Sequence, residues 1–338
     1  MPYELIGISV LWIFLYGYVI TASIDFGAGF FSYYGKMTGK GEMIHAVISR
    51  YLSPVWEVTN VFLVFFFVGI VGFFPETAYY YGTALMVPAS IALLLLAIRG
   101  SFYAFSHYGN PKSHIYHLLY GATGLLIPAA LSTVLTISEG GYISKLGNTI
   151  TFHAGALFAS PYSWSVVCLA LVSVMFISAT FLTYYANKAN DRQAEEILRT
   201  WALFWSLPTI FASILTFMAL YVQNPEHFSR MMNNSWWFIL SLAFFLNVVR
   251  LLILKRSYGF GFVSVMLQFF TAFWGYGASH LPYLLYPYLV IQSSMTSPKM
   301  ALALIWAFIG GLCLFIPSIT LLLRLFLFNA NYRKGVIK

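Results

Sequence analysis

Long runs of consecutive apolar residues, each about twenty positions from end to end, alternate along this chain with short polar or aromatic gaps. A helix rises about 1.5 Å per residue, so a run of that length crosses about 30 Å of hydrocarbon. The pattern predicts nine spans, at residues 5–24, 55–74, 80–98, 118–137, 162–185, 201–222, 236–254, 260–281 and 300–328. A membrane barrel would show alternating ten-residue strands instead. The expected fold is therefore an all-α polytopic membrane protein. Two gaps carry amphipathic stretches. In GEMIHAVISRYL, Ile44, Val47, Ile48 and Tyr51 recur at helical spacing opposite Glu42 and Arg50, which predicts a helix lying in the interface. NKANDRQAEEILRTW is similar but more charged, and both stretches follow an odd-numbered span. Their placement four spans apart predicts two four-helix bundles, residues 1–137 and 138–281, plus a peripheral ninth helix with a basic tail at 282–338.

Composition narrows the class. The chain has 338 residues, 60% hydrophobic and 8% charged, with a mean hydropathy of +0.79, which excludes a soluble domain. MPYELIG has no basic stretch, so the first run is expected to stay as a span and not to be removed as a signal peptide. When the gaps are numbered alternately, fifteen of the Lys and Arg residues fall in one set, and only Lys145, Arg230 and Lys299 in the other. Basic residues accumulate on the cytoplasmic side, so the N-terminus is expected outside and the C-terminus in the cytoplasm. The net charge of +8 then needs no nucleic-acid partner, because topology and anionic lipid account for it. Cys168 and Cys313 fall inside spans and read as small packing residues.

Candidate chemistry is sparse. Of ten acidic residues, eight, Glu139 and Glu226 among them, fall in gaps or at their edges, where a carboxylate costs little. Asp25 and Glu57 are the exceptions. A mid-membrane acid costs about 2.5–3.5 kcal/mol on insertion scales, so it must be protonated, paired or hydrated. Two readings stand side by side: polar helix ends, or groups that hold a proton. Gly27, Gly29 and Gly35 favour close helix packing beside Asp25. The seven histidines sit in gaps or at span edges, and His107, His114 and His117 read as solvated on the cytoplasmic side. No metal or haem site is expected, and HExxH, CxxC and phosphate-binding glycine loops are absent.

Several short motifs share one likeness. IDFGAG (24–29) is similar to an FDLGVG-type segment, and PVWEVTNVFL (54–63) aligns without gaps to PVWDGNEVWL. GFFPETAYYYG, Arg99 within AIRGSFYAF, and SPYSW before the fifth span fit the same pattern. Together they resemble subunit II of the cytochrome bd-type quinol oxidases, over nearly the whole chain.

That resemblance implies a haem-free, non-catalytic subunit in a bacterial inner membrane. It would form a heterodimer with a haem-bearing subunit I that oxidises quinol and reduces oxygen, and a small single-helix subunit could join. This chain would bind no cofactor of its own, apart from a structural quinone or lipid between its helix units. By motif position Asp25 and Glu57 would transfer protons from the cytoplasm, with Trp56, Thr59, Asn60, Arg99 and Tyr103 in support. Three positions depart from the family: Glu57 replaces an aspartate, Thr59–Asn60 loses a carboxylate, and a later acid falls on Ala104. A secondary transporter with nine helices is the alternative. It would need matched helix breaks in two halves, and Pro88, Pro128, Pro208 and Pro317 do not repeat in that way. A stand-alone haem protein would need better-placed histidines.

Overall fold

The computed structural model of the chain describes residues 3–108, 114–147, 149–322 and 324. The side chains of Trp56, Glu57, Tyr103, Ala104, His107 and His114 lie outside the described part.

The first helix, α1 (Tyr3–Met37), does not stop at residue 24 but runs through Asp25 for three more turns. No proline interrupts this stretch, and its small residues are packed against neighbours. It ends where Gly39 takes a φ of +73°, a conformation glycine adopts without strain. Next, α2 (Gly41–Phe73) absorbs the expected interfacial helix. Its apolar face is spent on the interior, because Ile44, Val47 and Ile48 are buried in the same core as Phe31 of α1. The third predicted span is two helices, α3 (Glu76–Ala84) and α4 (Met86–Tyr108), bent by 79° at their junction. Pro88 lies in the first turn of α4, where its missing N–H leaves no carbonyl unserved.

Beyond α5 (His114–Ser138) the chain forms a hairpin of β1 (Ile143–Leu146) and β2 (Thr149–Phe152), then the short α6 (Ala154–Ala159). Ser160 caps α7 (Pro161–Lys188) by accepting from the Ser163 N–H, with Pro161 at the first helical position. Asp191 caps α8 (Arg192–Gln223) by accepting from the Ala194 N–H, so the charged stretch expected at the interface is the opening of α8 itself. The remaining elements are α9 (Pro225–Asn233), α10 (Trp236–Ile253), α11 (Tyr258–His280), the hairpin β3 (Tyr283–Leu285) and β4 (Leu289–Val290), α12 (Ile291–Ser294) and α13 (Pro298–Leu322).

The centre of the molecule is the contact of α1 with α5 and α7, and α7 in turn packs on α8 and α11. Small residues let these backbones approach closely: Gly27 faces Ser178 and the Val174 carbonyl, and the Ser178 hydroxyl donates to the Ile24 carbonyl at 2.9 Å. Phe204, Leu207 and Phe211 of α8 point outward, as suits contact with lipid. Cys168 and Cys313 are also exposed, which corrects their reading as packing residues.

Among the described residues, six helices are long and apolar enough to cross a membrane, or seven if α3 and α4 make one bent span. Two of the nine predicted spans fall short of that standard. Of α2 the described apolar stretch is Thr59–Phe73, shorter than a full span because the side chains just before it lie outside the described part, and α11 is diluted by Ser264, Gln268 and Thr271.

Candidate functional site

Two buried polar clusters lie in this apolar frame. The first joins α1, α4 and α5. Asp25, 4% exposed, meets Arg99, 1% exposed, from α4. Arg99 Nε donates to Asp25 Oδ2 at 2.8 Å, and Nη2 donates to Oδ1 at 3.1 Å and to the Asp25 carbonyl at 2.6 Å. Nη1 donates to the Tyr120 carbonyl at 2.9 Å and to Thr123 Oγ1 at 3.1 Å. All five guanidinium N–H groups are thus used, which is the condition for a charged fork to persist away from water. The guanidinium also lies 4.2 Å from the Tyr120 ring centroid, and the Tyr120 hydroxyl donates to Asp25 Oδ1 at 3.3 Å. Glycines make the room, since a Cβ on Gly29 would press on the Tyr120 carbonyl and Arg99, and one on Gly124 on the Phe26 carbonyl.

Asp25 is therefore neither an interfacial helix end nor a free acid. It sits mid-helix, about 18 Å from the C-terminal end of α1. A polar line continues from it toward that end. Ser32, two turns further along α1, has its hydroxyl 3.3 Å from Nδ1 of His117, one turn before Tyr120 on α5. His117 is buried, which corrects its reading as a solvated histidine. Of the other residues marked in the sequence, Thr59 is buried and Asn60 half-buried on α2.

The second cluster joins residues from three separate gaps or span edges. Glu139 directly follows α5 in a connection expected to be solvated, yet it is 1% exposed. Its carboxylate accepts from the Tyr276 hydroxyl of α11 and, at 3.0 Å, from Nδ2 of Asn224, the residue that caps α9. His227 Nδ1 lies 2.8 and 2.9 Å from its two oxygens. His280 Nδ1 approaches Oε1 to 3.4 Å, near enough for attraction between charges but misdirected for a hydrogen bond. Burial pushes the Glu139 carboxyl up, but the adjoining His280 and His227 outweigh it and hold the group below the usual carboxylate range. The sequence did hold a signal: Glu139, His227 and His280 each fall just past or at the end of a helix that finishes on the side poor in Lys and Arg. The rings of His227 and His280 are 5.0 Å apart and close on one carboxylate, which leaves no plane between them for a porphyrin.

Between the two clusters runs an open, largely apolar cavity of about 1510 Å³, walled by residues such as Tyr16, Phe26, Leu131, Phe217, Phe245 and Phe273.

A many-helix membrane protein with a fully satisfied ion pair among its central helices is the class that the fold and site define. Residues 3–326 match the family of cytochrome bd terminal oxidase subunit II, and the chain belongs to that family. It is 32% identical, over 97% of its length and 96% of the other's, to a Bacillus subtilis (strain 168) protein whose assigned name is cytochrome bd menaquinol oxidase subunit II. Among solved structures it is similar to a chain of the bd oxidase from Geobacillus thermodenitrificans, with 57% identity, a TM-score of 0.85, and coverage of 97% of this chain and 100% of that one. The protein is a multi-pass component of the bacterial inner membrane and a subunit of a cytochrome bd terminal oxidase. The transporter alternative is not favoured.

Proposed function

We propose that this chain is the haem-free second subunit of a bd-type quinol:oxygen oxidoreductase, that it stabilises a haem-bearing subunit I in a heterodimer, and that it helps bring protons from the cytoplasm to the oxygen-reduction site. In this reading the chain crosses the membrane nine times, with α2 and α11 added to the seven strongly apolar spans, N-terminus outside and C-terminus inside. Two four-helix units and α13 make up the body. Haems, quinol oxidation and oxygen chemistry belong to the partner, and a small single-helix subunit completes the assembly. The apolar cavity suits a structural quinone or a lipid tail.

The observation that carries the proton reading is the polar line His117, Ser32, Tyr120 and Asp25 in otherwise apolar helices. Its consequence for the two acids is a division of labour. Asp25 is held by Arg99 as a fixed charge that orients the Tyr120 hydroxyl. Glu57, on α2, is the acid proposed to load and pass the proton.

Glu57→Gln is expected to slow oxygen consumption by the purified complex at least about tenfold, with the haem absorption spectrum unchanged. Wild-type turnover in that variant would remove Glu57 from the path.

A further inference from the structure

The Glu139 cluster has no part in the proton reading and stands apart from the Asp25–Arg99 pair. Each of Glu139, His227 and His280 offers one ligand atom, and these atoms lie within 4.8 Å of one another. Tetrahedral ligands at about 2.1 Å from a common zinc ion lie about 3.4 Å apart, so closure by at most about 1.4 Å would seat one. The three side chains are buried, with His227 at 0% and His280 at 8% exposure. Three imidazole nitrogens, His227 Nε2 and both of His280, are buried without a hydrogen-bond partner among the described residues. Leaving such groups unsatisfied is costly, and it calls for an explanation. The carboxylate is already oriented by Tyr276 and Asn224, the arrangement of outer partners that fixes a metal-binding carboxylate.

We propose that Glu139, His227 and His280 form a binding site for one divalent late first-row transition ion, with Zn²⁺ the best fit. Two neutral imidazoles and one carboxylate suit such ions and not Mg²⁺ or Ca²⁺, which prefer all-oxygen shells. Three protein ligands leave the fourth position to water. The bound ion ties α5, α9 and α11 together at their ends, and one nitrogen of each imidazole acquires a partner.

The test uses the whole purified complex, stripped with a chelator and titrated with Zn²⁺ alone against a chromophoric competitor. The expected result is one tightly held equivalent. Binding should weaken at least about hundredfold in Glu139→Gln and His280→Gln, and about tenfold in Tyr276→Phe, which leaves all three ligands in place. The haem spectrum and melting midpoint report whether each variant is assembled. If the ligand variants fail to assemble, zinc-edge X-ray absorption of the wild-type complex decides. Two imidazole nitrogens and a carboxylate oxygen around the ion support the site. Any other shell, or wild-type uptake no tighter than that of Tyr276→Phe and the ligand variants alike, overturns it.

Discussion

Arg99→Leu is expected to be the most damaging single change in the described part of the chain, with a loss of about 3–5 kcal/mol and little assembled complex recovered. The cause lies in what remains. Asp25 would keep its place between α1, α4 and α5 with only the Tyr120 hydroxyl as a donor among the described residues, and a carboxylate so placed is an uncompensated charge in an apolar interior. Arg99→Lys retains the charge but not the fork, so the bonds to Tyr120, Thr123 and the Asp25 carbonyl cannot all be replaced, and an intermediate loss follows. Removing both charges in Asp25→Leu/Arg99→Leu should restore much of what Arg99→Leu alone loses, since neither charge is then stranded. Melting midpoints of the wild type, Arg99→Leu, Asp25→Leu and the double variant form a double-mutant cycle. A midpoint for Arg99→Leu equal to that of the wild type would refute the account of the pair as a structural anchor.

The second large effect concerns the glycines that let α1 approach α5 and α7. Gly27→Ala and Gly124→Ala are each expected to cost about 1–3 kcal/mol, and the leucine substitutions more, because the obstacles are largely backbone. A methyl on Gly27 would meet the Ser178 side chain and the Val174 carbonyl at 2.9 Å, and one on Gly124 would meet the Phe26 carbonyl. Helical carbonyls cannot rotate aside, so whole helices would have to part, and the Asp25–Arg99 geometry would open with them. Gly310→Ala is the matched control: nothing among the described residues lies within 4 Å of its added methyl, and a helix gains slightly from alanine over glycine. Equal midpoints for Gly27→Ala and Gly310→Ala would argue against close approach as the reason for these glycines.

Much of the helical frame was legible because apolar run length is a local property. The spans predicted at 162–185 and 236–254 correspond to α7 (Pro161–Lys188) and α10 (Trp236–Ile253) within a few residues. The misreadings have a common origin in long-range packing. Asp25 looked like the end of a helix because charge usually marks a boundary, and its compensating cation comes from 74 positions away. The apolar face at Ile44, Val47 and Ile48 looked interfacial because nothing local distinguishes a lipid surface from a neighbouring helix. Glu139 and His117 lie in or beside gaps between spans, and such gaps are normally wet. The covering elements, α9 and α11 for one and α1 for the other, are not evident from the residues around them.

The reach of the Glu139 contacts also sets an order of events during synthesis. The acid emerges at the end of α5, but Asn224, His227 and Tyr276 follow 85, 88 and 137 positions later. Until the ribosome has delivered α11, that carboxylate can only stay hydrated on the surface it has reached. Its sequestration is a late step that registers whether the distal helices have inserted, and a chain cut short before residue 276 would display the acid as a mark of incompleteness.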